Sequence, residues 1–73
     1  MADTFKWTDA EDLGILLFEH HPDVDPLTVR FTDLRDWVLQ LDEFNDDPKT
    51  STEGKLEAIQ MAWWEEWKDA HDA

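Results

Sequence analysis

The sequence predicts a mainly α-helical fold, a compact domain of three helices with at most a short extended segment. The chain has 73 residues, which is enough for one small hydrophobic core. Apolar residues recur at helical spacing in three stretches, and turn-forming residues separate these stretches. We therefore interpret residues 1–73 as a single domain, and we expect its ends, 1–6 and 69–73, to be flexible.

The first helix is predicted from the sequence TDAE, in which Thr8 caps the helix and Glu11 completes a capping box. The positions that face the core at helical spacing are Ala10, Leu13, Gly14 and Leu17. Pro22 ends the helix near His21, because a residue that precedes proline avoids the helical conformation. In the link to the second helix, residues 29–31 are the candidate for a short extended segment.

The second helix is predicted to start at Thr32, a capping residue, with Asp33 in the first turn, where the helix dipole favours an anion. An amphipathic stripe follows at helical spacing, and the turn sequence NDDP, residues 45–48, stops it. The stripe consists of Leu34, Trp37, Val38, Leu41 and Phe44.

The third helix is predicted to follow Thr50, which forms a second capping-box pattern with Glu53. Its core face consists of Leu56, Ile59, Trp63, Trp67 and Ala70. Met61 and Trp64 fall off this face, and an exposed Trp is typical of a protein contact.

Composition excludes several classes of protein. The chain has no cysteine, which excludes a disulfide framework, a zinc–thiolate site and a cysteine-ligated iron–sulfur cluster. The start of the sequence lacks the features of a signal peptide, and no apolar run approaches the ~20 residues of a membrane span. Catalytic motifs such as GxSxG, a Walker loop and HExxH do not occur. We expect a cytoplasmic, monomeric protein that is neither an enzyme nor bound to a membrane.

Net charge is the strongest compositional signal. Nineteen Asp and Glu against six Lys and Arg give a formal net charge of −13. This charge disfavours nucleic acid as a partner, because binding phosphates requires Lys and Arg. It favours a basic protein surface or a hard cation, although a high net charge also serves solubility alone.

The segment EHHPDVDP is the first candidate metal site. Adjacent residues on a helix point ~100° apart, so His20 and His21 do not face one ion, and we expect His21 to pack half-buried against the core. The carboxylates of Glu19, Asp23 and Asp25 lie close in sequence, and a divalent cation would relieve their repulsion. In the alternative interpretation, Asp25 caps a turn and Asp23 is solvated.

A second acidic stretch, LDEFNDDP, does not match a calcium-binding loop. Phe44 takes a ligand position, and Pro48 follows where the turn glycine and remaining ligands belong. A high-affinity calcium site is therefore excluded, whereas a diffuse patch over residues 42–47 that attracts cations stays open.

The first helix also presents a candidate partner-binding surface. Glu11, Asp12 and Glu19 cover the face away from the core, and Ile15 sits among them. An apolar anchor inside a charged rim is typical of a protein contact. A single exposed Ile is also common on ordinary surfaces, so both interpretations stay open.

Several blocks of the sequence together resemble the IscX (YfhJ) family of bacterial iron–sulfur cluster assembly. They are the opening KWTD, the central PDVDPLTVRFTDL with Trp37, the DDP turn, and LEAI followed by Trp63. The resemblance covers about residues 6 to 67, nearly the whole chain. It implies a modified winged-helix domain, which agrees with three helices and a short extended link.

The resemblance also implies a function. The family binds the cysteine desulfurase of cluster assembly, overlaps in role with the bacterial frataxin homologue, and binds ferrous iron weakly through surface carboxylates. The acids that match the family pattern are Asp9, Glu19, Asp23, Asp25, Asp33, Asp46 and Asp47. Asn45 stands where the pattern has an acid. The candidate iron ligands are Glu19, Asp23, Asp25, Asp46 and Asp47, and the candidate partner-binding residues are Asp9, Glu11, Asp12, Ile15, Glu19 and Asp33.

Two other functions stay open beside this adaptor role. The chain could be an iron donor or sensor whose primary ligand is Fe²⁺, or an acidic mimic of nucleic acid. The winged-helix likeness does not predict DNA binding, because the second helix carries acids where a recognition helix would carry basic residues.

Overall fold

The computed structural model describes residues 4–71 and contains three α-helices joined by turns. Helix α1 spans Ala10–His20, α2 spans Phe31–Leu39 and α3 spans Glu53–His71. Short 3-10 turns, Pro26–Thr28 and Pro48–Thr50, lie in the two links. The only β pairing within residues 4–71 is an isolated parallel bridge between Phe5 and Phe44. The mainly α-helical prediction is confirmed, and the winged-helix likeness stays a prediction.

The start of α1 differs from the predicted one. Asp9, not Thr8, occupies the N-cap position. The Asp9 carboxylate accepts a hydrogen bond from the Lys6 backbone N–H at 2.8 Å, and the Asp9 N–H donates to the Lys6 carbonyl at 2.9 Å. These bonds close a turn that holds Trp7 in the core, where it is 1% exposed. The prediction of a Thr8 cap is wrong, because Thr8 lies inside this turn.

Helix α2 ends earlier than its apolar stripe predicts. The Phe5 N–H donates to the Glu43 carbonyl at 2.8 Å, and the Asn45 N–H donates to the Phe5 carbonyl at 2.9 Å. This pairing requires non-helical backbone at Phe44, so the helix cannot continue through it. The helical prediction for Leu41 and Phe44 is therefore wrong, although both side chains still belong to the hydrophobic cluster.

The predicted caps of α2 and α3 are also displaced. Arg30 is the N-cap of α2, so Thr32 lies inside the first turn. At α3, the Thr52 hydroxyl oxygen accepts a backbone N–H from the first turn at 3.2 Å. Thr50 instead donates its hydroxyl to the Asp47 carbonyl at 2.8 Å. The capping predictions for Thr32 and Thr50 are wrong, because nearby residues take those positions.

The hydrophobic core lies where the three helices meet. Helix α1 packs mainly on α3, and Gly14 allows their close approach, because a Cβ atom there would lie 2.7 Å from the Trp63 backbone nitrogen. The buried hydrophobic side chains are Trp7, Leu13, Leu17, Val29, Leu34, Val38, Leu41, Leu56, Ile59 and Trp63. Ala70 is exposed, so the predicted core face of α3 fails in its last turn. With 19 residues, α3 is longer than α1, which has 11.

The two ends of the chain are described only in part. The predicted flexible ends, 1–6 and 69–73, include residues 1–3 and 72–73, which lie outside the described residues. Phe5 is hydrogen-bonded to the link before α3, and residues 69–71 continue that helix. No helix within residues 4–71 is long and apolar enough to cross a membrane.

Candidate partner-binding surface

Helix α1 turns an acidic face to solvent. Glu11, Asp12 and Glu19 are exposed, and Ile15 on the same helix is 40% exposed. The opposite face is anchored by Leu13 and Leu17, which are fully buried. The packing of these two leucines fixes the rotation of the helix, so that an apolar side chain is held among carboxylates at the surface.

A groove lies between α1 and α3 beside Ile15. Its volume is about 160 Å³, and it is lined by Glu11, Ile15, Ala62, Glu65 and Glu66. Glu11 and Ile15 are one helical turn apart on α1, and the three lining residues of α3 also fall within about one turn. Near the groove the two helices meet closely at Gly14, where a side chain would clash with the backbone of Ala62 and Trp63.

The other predicted partner-binding residues lie outside this groove: Asp9, Asp12, Glu19 and Asp33. The Asp9 carboxylate is engaged with the Lys6 N–H in the turn before α1. Asp33 is exposed in the first turn of α2. The structure therefore brings Glu11 and Ile15 together with α3, and the role of all six residues in binding stays a prediction.

The candidate iron ligands are spread over several turns. Glu19 and Asp23 are exposed near the end of α1. Asp25 Oδ1 accepts the Leu27 N–H at 3.0 Å and caps the first 3-10 turn. This confirms the alternative interpretation of the sequence, in which Asp25 caps a turn. Among residues 4–71, no three or more His, Asp and Glu side chains are grouped so that they could hold one ion. Iron binding by these carboxylates stays a prediction.

Asp46 and Asp47, the other two candidate ligands, connect the N-terminal segment to the link before α3. Asp46 accepts the Asp47 N–H at 2.7 Å through Oδ1 and the Trp7 N–H at 3.2 Å through Oδ2. The bond from Asp47, followed by the bond from Trp7, lowers the pKa of Asp46. Asp47 Oδ1 accepts the Lys49 N–H at 2.9 Å, and its carbonyl accepts the Trp7 Nε1–H at 2.8 Å.

The two adjacent histidines have different surroundings. His20 is exposed, whereas His21 is half-buried, which confirms the prediction that His21 packs against the core. Burial lowers the pKa of His21, and the nearby charge of His20 lowers it further. Both histidines line a surface cavity of about 200 Å³ together with Trp37, Gln40 and Leu41.

Comparison with known proteins places this chain in a family. Residues 5–68 match the family described as iron–sulphur cluster assembly. The chain belongs to this family, the IscX (YfhJ) family. An uncharacterized protein of Pseudomonas aeruginosa is 56% identical over 63 residues, which are 86% of this chain and 96% of that protein. The resemblance inferred from the sequence blocks is confirmed, and the matched region includes both walls of the groove.

The contribution of α3 to the groove was missed by sequence reasoning. The sequence did not single out Glu65 and Glu66, because they lie outside the apolar stripe that indicates how α3 packs. One available signal was Gly14, a glycine inside a predicted helix, which often marks close helix packing. A second was the pair of acids one turn after Ala62, since residues three and four apart share a helix surface.

A second surface on α3 combines aromatic rings with the basic side chains of its last turn. A cavity of about 260 Å³ is lined by Trp64, Trp67, Lys68 and His71. Lys68 Nζ lies 5.1 Å from the centroid of the Trp64 ring, within the range of a cation–π contact. Both Trp64 and Trp67 are half-buried, and neither belongs to the hydrophobic cluster. The sequence therefore placed Trp64 correctly off the core, whereas the prediction that Trp67 belongs to the core face is wrong.

Proposed function

We propose that this chain is a non-enzymatic adaptor or regulator of iron–sulfur cluster assembly, which binds the cysteine desulfurase through its acidic surface. The observation that carries the proposal is the groove beside Ile15, in which an exposed apolar side chain is bordered by glutamates of two helices. Protein interfaces commonly place an apolar anchor inside a polar rim. Membership of the cluster-assembly family supplies the class of partner.

The net charge of −13 supports a basic surface as the docking site on the desulfurase. Charges of opposite sign steer two proteins together at long range and raise their association rate. Another acidic protein that used the same basic surface, such as the bacterial frataxin homologue, would compete with this chain. The proposal places the chain in the cytoplasm as a monomer.

The size of the surface cavities supports an adaptor rather than an enzyme. The three cavities described above measure about 160, 200 and 260 Å³, below the ~300–1,000 Å³ typical of a small-molecule site. A site of this size gives a carboxylate little of the enclosure that tunes its pKa for acid–base catalysis.

Weak binding of ferrous iron is a second part of the proposal. Carboxylate oxygens suit hard cations, but affinity is low when ligands are not held around one point. The ligands we propose are Glu19, Asp23, Asp25, Asp46 and Asp47. Asp25, Asp46 and Asp47 each already accept backbone N–H groups, so an ion would share them with the turns they stabilise. No resident iron–sulfur cluster is proposed, since the chain has no cysteine.

Titration calorimetry of the purified chain with purified desulfurase, at several salt concentrations, tests the proposal. We expect binding that weakens as salt rises, because screening acts on the charged rim. An unrelated basic protein of matched net charge serves as the control and should bind more weakly. Absence of desulfurase binding together with tight Fe²⁺ binding would favour an iron donor or sensor. Absence of desulfurase binding with capture of a DNA-binding protein would favour a nucleic-acid mimic.

A further inference from the structure

The groove between α1 and α3 is lined by two apolar and three acidic side chains. Ile15 and Ala62 supply apolar side chains, and Ala62 is half-buried. Glu11 stands on α1, and Glu65 and Glu66 stand on α3. Three carboxylates therefore lie beside two apolar side chains in one groove, and an occupant must complement both the charge and the apolar contact.

We propose that this groove receives one arginine side chain of the protein partner. The methylene stem of arginine would lie on Ile15 and Ala62, while its guanidinium would be shared by Glu11, Glu65 and Glu66. Arginine combines an apolar stem with a planar head that carries five N–H donors. It is also enriched among the residues that dominate interface energies.

The volume of the groove fits a single side chain. A volume of about 160 Å³ corresponds to about five water molecules at ~30 Å³ each. That volume is enough for one long side chain. An arginine that projects from a larger basic surface is therefore the occupant whose size and charge both match.

Three basic side chains of this chain make contacts outside the groove. Arg35 donates from Nη2 to the Pro48 carbonyl at 3.1 Å and from Nε to the Ser51 hydroxyl at 3.2 Å. Lys55 donates to the Thr50 carbonyl at 3.1 Å, and Lys68 lies over the Trp64 ring. These contacts engage three of the six basic side chains at other positions, and none of the six lines the groove. We therefore look to a partner for a cation that pairs with its glutamates.

The assignment of this arginine to the desulfurase rests on the proposed function, so the test has two independent arms. In the first arm, N-acetyl-arginine amide is titrated into methyl-labelled protein and observed by NMR. We expect saturable shifts of the Ile15 and Ala62 methyl groups. N-acetyl-lysine amide should shift the same groups less, because an ammonium lacks the planar fork.

The second arm measures desulfurase affinity for two variants of equal charge. Glu65→Gln with Glu66→Gln neutralises two of the three glutamates that line the groove. Glu57→Gln with Asp69→Asn neutralises two exposed acids of the same helix that do not line it. We expect the groove variant to weaken desulfurase binding about tenfold and the control about twofold. All four substitutions keep the shape of exposed or half-buried side chains, and circular dichroism checks the fold.

The possible results distinguish the proposal of an arginine in the groove from the proposed adaptor function. Equal affinities of the two variants for the desulfurase would overturn the groove proposal and leave the adaptor function intact. Shifts by the lysine probe as large as those by the arginine probe would overturn the choice of arginine. Arginine shifts that the groove variant loses, in a protein that does not bind the desulfurase, would support the groove and overturn its assignment to that partner.

Discussion

The imidazole of His21 stacks on the indole of Trp37, with ring centroids 4.3 Å apart and ring planes inclined by 17°. Trp63 meets Trp37 edge-on at 5.9 Å and lies 6.3 Å from His21. The three rings come from the end of α1, from α2 and from α3. This aromatic cluster therefore joins all three helices, and a change in the charge of His21 acts where the helices meet.

We expect the stability of the protein to depend on pH through His21. Burial and the charge of His20 lower the pKa of His21 in the folded state below its ordinary value of 6.5. As pH falls through 6.5, the unfolded chain takes up a proton before the folded chain does, so protonation favours unfolding. The free energy of unfolding should therefore be highest above pH 6.5 and fall as pH is lowered to 5.5. Urea unfolding at intervals between pH 7.5 and 5.5 measures this.

Two variants identify the source of that pH dependence. His21→Gln should remove most of the loss between pH 7.5 and 5.5, because the titrating group is gone. His20→Gln should make the loss smaller without removing it, since only the second cause of the pKa shift disappears. A pH dependence that is the same in His21→Gln and in the wild type would assign it to other groups.

Gly14 and Gly54 should respond to alanine with opposite signs. A Cβ at Gly14 would lie 2.7 Å from the Trp63 nitrogen, whereas nothing lies within 4 Å of a Cβ at Gly54. Overpacking costs about 1–3 kcal/mol and outweighs a helix-propensity gain of up to about 1 kcal/mol. Gly14→Ala should thus lower the free energy of unfolding by about 1–2 kcal/mol. Gly54→Ala should raise it by up to about 1 kcal/mol. Denaturant titration of both variants measures these changes in the free energy of unfolding. A stabilising Gly14→Ala would contradict the close approach of α1 and α3.

The sequence predicted the helices of this fold better than their exact ends. Apolar spacing predicted the three helices and most of their core faces, because a helix buries side chains at a fixed period. Each predicted capping residue lies one or two positions from the observed one. Before α1 and α3 several Thr and Asp compete for the position, whereas α2 starts after Arg30, which makes no side-chain capping bond. Helix α2 stops early because of hydrogen bonds between Phe5 and the backbone around Phe44, some 39 residues away, and no local pattern carries that information.

The candidate site was also predicted only in part, because sequence spacing shows what lies on one helix and not which helices pack together. Glu11 and Ile15 were found because they share one helix, and their spacing is visible in the sequence. Glu65 and Glu66 join them only through the packing of α1 on α3, which Gly14 permits. The three-dimensional arrangement of carboxylates proposed for iron could not be read from their spacing, since turns rather than helices carry Asp23, Asp25, Asp46 and Asp47.

The Asp46 carboxylate should protect the Trp7 amide from hydrogen exchange. It accepts that N–H across 39 residues of chain and also accepts the N–H of Asp47. Asp46→Ala leaves both donors without this acceptor, so the Trp7 amide should exchange faster and the thermal midpoint should fall. Asp69→Ala, an exposed change of the same charge, is the control and should alter neither. Unchanged Trp7 exchange in Asp46→Ala would show that this bond does not hold the N-terminal segment.

Ferrous iron should bind weakly and through oxygen ligands. Under anaerobic conditions, Mn²⁺ and Ca²⁺ should compete with Fe²⁺, because carboxylates discriminate poorly among such cations. Glu19→Gln with Asp23→Asn should weaken Fe²⁺ binding in calorimetry. Glu57→Gln with Asp69→Asn changes the net charge equally and should weaken it less. Equal effects of the two pairs would show a diffuse charge effect, and no effect of the first pair would move the site to residues 42–47.

The acids and the apolar anchor of α1 should act on different steps of desulfurase binding. Rim charges steer the encounter before contact, and salt screens them over a Debye length of about 8 Å at physiological ionic strength. Ile15 acts only after contact, when its exposed surface is buried.

Glu11→Lys with Asp12→Lys should therefore slow association and flatten its dependence on salt. Ile15→Ala should speed dissociation and leave the salt dependence of association unchanged. Surface plasmon resonance at several salt concentrations measures both rates, with Glu57→Lys and Asp69→Lys on α3 as the control of equal charge. If the control slows association as much as the α1 variant does, the net charge steers the encounter and α1 is not the docking face. Wild-type dissociation in Ile15→Ala would show that the anchor lies elsewhere, with the exposed Met61 as the next side chain to test.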